Sequence, residues 1–277
     1  LKRALVAYLD NAPHLVLQSK ALVESLKYVK PDDTDLIIFG PEVALNKIPD
    51  HKFVIKIIQD QHKLGRKYGY INSIACLCGP GSQILNQYDY LLKTDLDVFI
   101  TPAWNNFRPE EFTVGQGAYS NSQEIRENCK KIAEMFGFVH QGQHNIGSTF
   151  YGPASLVRNI CRLATMLCEY LLLEEFWNNP GEWPEWFEGV SSMYATEIAI
   201  NHLVPNLKLD TKLQLDGHST SLGSVDDHPH IHCWHTNERF SKFEWEGGRY
   251  DSIDPQTLDL NVIRDYCTAL ALRAKLQ

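Results

Sequence analysis

Four short apolar runs constrain this chain more than any other feature: ALVAYL (4–9), DLIIFGP (35–41), FVIKII (53–58) and YDYLLK (88–93). Each is too short for a buried helix and rich enough in apolar residues for a strand covered on both faces. Between the first two, Leu15, Leu22, Leu26 and Val29 recur at helical spacing, after a turn at Asn11–Pro13 and before a stop at Pro31–Asp33. A further helix is predicted over about 66–78, ended by CGPGS (78–82). Strands alternating with helices imply βαβ units and a mostly parallel sheet.

The second half carries longer helical patterns, at 154–177 and 191–204, separated by the Trp- and Pro-rich segment NNPGEWPEWFEG (178–189). DGHSTSLGSVDDHPH (216–230) reads as a polar, ordered or ligand-gated loop. Asp254 as N-cap and Pro255 at the first helical position open a closing helix lined by Ile263, Cys267, Leu270 and Ala274. Neither a repeat nor a composition break marks a linker. The expected fold is a single α/β domain over 1–277, with a mixed, mostly parallel sheet flanked by helices and an elaborated C-terminal half.

A net charge of -8 excludes a general nucleic-acid binder, which needs a basic surface. No apolar run approaches the ~20 residues of a membrane span. The seven cysteines are scattered without a C-x-x-C pair, and Cys161 and Cys168 share one helical face. They read as reduced core residues, so a cytoplasmic location is expected.

Asp95 and Asp97 follow the strand YLLK and precede the apolar VFITP. In an open α/β sheet, ligands bind beyond the carboxyl ends of the strands. Two carboxylates held there, one residue apart, suit a hard cation such as Mg²⁺ or Mn²⁺, because burying like charges together is costly without compensation. A solvated polar break between two strands is the plainer reading of the same triplet. Four histidines crowd HPHIHCWH (228–235), and on a strand His230 and His232 share one face while His235 takes the other. A neutral imidazole from this group would complete the cation's shell. Arg239 and Lys242, just beyond, are candidate phosphate contacts, as are Lys63, Arg66 and Lys67 upstream. A solvated basic helix face is the plainer reading of the upstream trio.

These segments resemble, in order, those of GT-A-fold, nucleotide-sugar-dependent glycosyltransferases of the glycogenin-like type. RALVAYLDNAPHLVLQSKALVESL (3–26) resembles their opening strand and helix, and QYDYLLKTDLDVFITP (87–102) their strand ending in D-x-D. HNIGSTFYGP (144–153) resembles their N-x-G segment, and HTNERFSKFEW (235–245) their C-terminal His followed by Lys-Pro-Trp. Here Phe243-Glu244 stands where Pro is expected and the intervening Gly is missing. The resemblance implies a GT-A (Rossmann-like) fold with a nucleotide-binding half at 1–102 and an acceptor-binding half at 103–277. It implies Asp95, Asp97 and His235 as ligands of Mn²⁺ or Mg²⁺, His235 fitting the spacing to Lys242 better than His232. Tyr8, Asp10, Asn11, Arg66, Asp95 and Lys242 are the expected donor contacts.

The activity so implied is metal-dependent transfer of a sugar from a nucleotide-diphosphate donor, UDP-sugar favoured, to a glycan hydroxyl. The partners are that donor and a glycan or glycoprotein acceptor. Glu197 in MYATEIAIN is the candidate base, with Asp226 and Asp227 in reserve; a helix N-terminal glutamate favoured by the macrodipole is the plainer reading. Trp183 and Trp186, with Glu188 nearby, are the candidate acceptor platform, aromatic faces stacking on sugar rings; packing onto the core is the commoner use of such residues. Two rival classes share parts of this pattern: a haloacid-dehalogenase-like phosphohydrolase using Asp95, and a non-catalytic carbohydrate- or nucleotide-binding protein.

Overall fold

The computed structural model describes residues 1–209 and 214–276. Its main sheet has six strands: β1 (Arg3–Tyr8), β2 (Thr34–Gly40), β3 (Val54–Ile58), β4 (Tyr90–Lys93), β6 (Thr113–Gln116) and β7 (Ile146–Pro153). Their spatial order is β3-β2-β1-β4-β7-β6. The first four run parallel, whereas β7 lies antiparallel to β4 and to β6. A second, three-stranded sheet joins β5 (Val98–Ile100), β9 (His230–His232) and β8 (Gly217–His218) in that order. The chain is thus a single α/β domain with a mixed, mostly parallel main sheet.

Both faces of the main sheet are covered, which explains the unbroken apolar runs. Along β1, Ala4, Val6 and Tyr8 join the core on one face, and Leu5 and Ala7, with Leu9 just beyond, join the core on the other. The first core is closed mainly by α4 (Gln123–Met135), α5 (Ala154–Tyr170) and α6 (Ser191–Leu203). The second is closed by α1 (Pro13–Val29), the short α2 (Glu42–Leu45) and Trp104. The segment expected to be helical over 66–78 forms only a 3₁₀ turn at Gly69–Ile71 and the four-residue α3 (Asn72–Ala75). At the C-terminal end, α7 (Lys242–Glu246) and α8 (Ile263–Lys275) pack a third core around Phe99, Phe240, Trp245 and Tyr266.

Arg3, fully buried, ties the start of β1 to its surroundings. Its guanidinium meets Asp33 at 2.9 Å and donates to the carbonyls of Trp104 and Phe107. All seven cysteines are unpaired and six are buried. No helix among the described residues is long and apolar enough to cross a membrane.

Candidate functional site

Strand order reverses between β1 and β4, since β2 and β3 lie to one side of β1 and β4 to the other. Such a switch point opens a crevice beyond the carboxyl ends of the two strands. Asp10 follows β1 there, and Asp95 and Asp97 follow β4. The antiparallel β7 begins at the same edge, and its Ser148 hydroxyl donates to Asp95 Oδ2 at 2.9 Å.

The small sheet brings the distant half of the site. In its register Val98 stands opposite His232, and Cys233 N–H donates to Asp97 O at 2.9 Å. His232 Nε2 therefore lies 3.5 Å from Asp97 Oδ1. Ligand atoms of Asp95, Asp97 and His232 all fall within 4.8 Å of one another. Lys242, at the start of α7, forms an ion pair with Asp97, and Lys93 lies 3.2 Å from Asp95 Oδ1.

Burial would raise the pKa of Asp95, and Asp97 pushes the same way. Lys93 and His232, with the Ser148 hydrogen bond, outweigh both and hold it below the usual carboxylate value. For Asp97, burial is overcome by His232 and Lys242, again leaving an anion. Burial opposes charge on His232, yet Asp97 and Asp216 raise its pKa well above that of a free imidazole.

Asp216 was not singled out in the sequence, and it completes the arrangement. It sits at φ 64° with its side chain buried. A methyl group on Gly115 would come within 1.9 Å of Asp216 Oδ2, and one on Gly147 within 2.8 Å. Two glycines on β6 and β7 thus make the space in which this carboxylate lies. Its Oδ1, buried and without a hydrogen bond, is 3.4 Å from His232 Nδ1 and 3.5 Å from His230 Nδ1. His230 stays neutral: burial, against the pull of Asp216, takes its pKa down to about 4. Asp216 N–H donates to His230 Nδ1, so the His230 proton is on Nε2, facing Thr94 Oγ1 at 2.8 Å.

The remaining expected residues fall in several places. His235 is exposed and edges onto Phe243 at 5.1 Å; the imidazole grouped with the aspartates is that of His232. Asp10 accepts from Gln61 at 2.5 Å, Asn11 from Lys47 at 2.7 Å, and the Tyr8 hydroxyl donates to Gln59 O at 3.3 Å. Arg66 is exposed, while Lys63 and Lys67 are ion-paired with Glu169 and Glu188. Arg239 pairs with Asp265 on α8. Asp226 and Asp227 are exposed. Trp183 and Trp186 line a cavity of about 590 Å³ with Glu124, Glu175, Glu182 and Glu185. Glu188 is not part of that wall. Trp186 stacks on Tyr194 of α6 at 4.3 Å, and Tyr194 meets Tyr119 at 5.8 Å.

Glu197 is fully buried on α6, and its two oxygens have different neighbours. Tyr119 hydroxyl and Asn145 N–H lie 2.9 Å from Oε2, with Ser120 hydroxyl at 3.2 Å. Oε1 faces His144 Nδ1 at 2.7 Å and His140 Nε2 at 3.7 Å. Burial would raise its pKa, but the nearby His140 and the hydrogen-bonded His144 and Tyr119 bring it down to about 2. A carboxylate so well satisfied is a weak base and a strong anchor.

Comparison with curated proteins gives no match. The chain matches, over residues 2–275, the model of the family described as Domain of unknown function (DUF7164), and it belongs to that family.

Proposed function

We propose that this DUF7164 chain is a divalent-cation-dependent glycosyltransferase of GT-A type, taking a sugar from a nucleoside diphosphate, UDP favoured, to a glycan hydroxyl. One observation carries the reading. The carboxylate pair at the carboxyl end of β4 lies at the sheet's switch point, where His232 and Lys242 from the far end of the chain join it.

The donor set fits a hard or borderline divalent ion. Two ionised carboxylates and an imidazole converge, and 3.5 Å between Asp97 Oδ1 and His232 Nε2 is too long for a hydrogen bond but suits two atoms sharing one cation. The orphaned Oδ1 of Asp216 faces His232 Nδ1. A cation taking the place of the Nε2 proton would leave the remaining proton on Nδ1, toward Asp216, and the lone pair on Nε2. Asp95, Asp97 and His232 would hold Mn²⁺ or Mg²⁺, which would neutralise charge developing on the departing diphosphate.

The chain's own groups supply the rest. Lys242, its side chain 11% exposed, is placed to turn from Asp97 to a phosphate oxygen. Ser148 fixes the rotamer of Asp95. Asp10, at the end of β1, is placed to accept hydrogen bonds from a base or ribose. The cavity walled by Trp183 and Trp186 offers apolar faces and carboxylates to an acceptor sugar. Asp226 and Asp227, the later metal pair that a phosphohydrolase reading needs, stand exposed and outside the Asp95–Asp97–His232 group.

The test is a panel of nucleotide sugars assayed for binding and hydrolysis with Mn²⁺ or Mg²⁺, in wild type and Asp97→Asn. Metal-dependent turnover of one donor, lost in the variant, is expected. A wild type that neither binds nor hydrolyses any donor, or a variant indistinguishable from it, overturns the reading.

A further inference from the structure

The cluster around Glu197 lies outside the cation group, and its hydrogen-bond donors determine what it can do. His140, His144 and Glu197 bring metal-ligand atom types within 4.8 Å of one another. Gly142 N–H, however, donates to His140 Nδ1 at 3.1 Å. That nitrogen is therefore the acceptor, and the neutral ring carries its proton on Nε2, directed at Glu197 instead of offering a lone pair to a metal.

The same reasoning fixes His144. Its Nδ1 is 2.7 Å from Oε1 of an ionised carboxylate, which only accepts, so Nδ1 carries the proton. Nε2 is then the lone-pair nitrogen. It has no hydrogen-bond partner among the described residues and is not sealed from solvent, the side chain being 11% exposed. Tyr119, Ser120 and Asn145 hold Oε2, so Glu197 cannot swing away from the imidazole. A buried carboxylate that sets the tautomer of a partly exposed histidine is the arrangement of a general base.

Its location agrees. His144 lies two residues before β7 begins at Ile146, and Ser148 on that strand donates to Asp95. Strand rise of about 3.3 Å per residue puts His144 within about 13 Å of Ser148, on the sheet edge where β4 ends. A sugar attached to its phosphate fits that interval.

We infer that His144 Nε2 is the general base that deprotonates the acceptor hydroxyl, with Glu197 as its positioning residue. The inference rests on the glycosyltransferase reading. The hydroxyl proton passes to Nε2 while the oxygen's electron pair forms the bond to the anomeric carbon. The anomeric C–O bond to the diphosphate breaks and its electron pair leaves with that oxygen. Ionised Glu197 then stabilises the imidazolium. Such a displacement inverts the anomeric centre.

His144→Asn tests this, because the Asn amide reproduces the Nδ1 donor to Glu197 and lacks Nε2. The expected result is unchanged Mn²⁺-dependent affinity for the nucleoside diphosphate and a transfer kcat down by about 10²–10⁴-fold. The wild-type product should show inversion of the anomeric centre by NMR. Glu197→Gln should lower the transfer kcat with donor affinity unchanged, whereas a purely structural role would move both. Near-wild-type transfer by His144→Asn with donor still bound, or a retained anomeric centre, overturns the base assignment alone. Absence of donor binding by wild type overturns the underlying reading and this one with it. The stereochemistry of the wild-type product decides the matter even if a variant fails to fold.

Discussion

His232 Nδ1 and Asp216 Oδ1 stand 3.4 Å apart, with the carboxylate buried and that oxygen making no hydrogen bond among the described residues. An outer carboxylate of this kind orients a metal-binding imidazole and raises its basicity. Asp216→Asn preserves shape and tolerates the positive φ. It should weaken Mn²⁺ binding by roughly 10–100-fold, measured by isothermal titration calorimetry with a thermal melt as a check on folding. Unchanged affinity would remove Asp216 from the site.

Gly115→Ala should reproduce that loss without touching a polar group. The new methyl would collide with Asp216 Oδ2 and Cγ, at 1.9 and 2.7 Å, so the carboxylate must leave its place or the strand must shift. Overpacking of this kind costs about 1–3 kcal/mol. Calorimetric Mn²⁺ titration alongside urea unfolding will show both effects; a variant that binds the ion normally refutes the coupling.

Glu197 also predicts an acid sensitivity. Its pKa is about 2 in the folded protein against 4.5 for an unperturbed glutamate. The stability this gives is fully present above pH 4.5 and is lost as pH falls from there through about 2. It amounts to something on the order of 3 kcal/mol. Urea unfolding at a series of pH values should show a shallower acid slope for Glu197→Gln than for wild type. Parallel slopes would contradict the assignment.

Arg3→Met should leave the chemistry alone and weaken the fold. The change removes the buried donor from Asp33 and the carbonyls of Trp104 and Phe107, leaving each with Arg108 alone of the two guanidinium groups. Losing buried hydrogen bonds from a charged group costs about 1.5–3 kcal/mol. A melting temperature close to wild type would show that Arg108, 2.9 Å from Asp33, takes over.

The two tryptophans of the large cavity should separate binding from stability. Trp183 is 52% exposed, so Trp183→Ala should raise the acceptor KM with little change in melting temperature. Trp186 packs on Tyr194 and Phe176, and its loss should cost about 3 kcal/mol or more. Equal effects of the two changes on stability would argue against an acceptor wall.

Legibility in the sequence followed burial. β1, β2 and β4 are covered on both faces, so their letters alone announce strands. Residues 66–78 misled because Tyr68, Ile71, Ile74 and Leu77 are apolar at helical spacing, yet Gly69 and the Gly79-Pro80 pair leave room for one turn only. β5 and β6 have three and four residues, too few to show alternation. The aspartate pair was readable because it ends an apolar run. The choice between His232 and His235 was not, since it depends on the Val98–His232 register and on where β9 stops. Strand alternation, which places His230 and His232 on one face, was the available signal. Asp216 gave none, because its role comes entirely from Gly115 and Gly147, far away in sequence.

The proposed cation shell is assembled from residues far apart in the chain. Asp97 and Lys242 are 145 residues apart, an interval a ribosome covers in roughly ten seconds. β5, just after the acidic pair, is held by Ser25 on α1 and by Tyr266 on α8, which bond to Ile100 N–H and Ile100 O. The acidic pair therefore emerges early and waits for the last helix to lock its neighbourhood. A chain synthesised only as far as the acidic pair has the carboxylates but neither the His232 imidazole nor the Lys242 ammonium, so the proposed shell cannot form until the segment carrying both has been added.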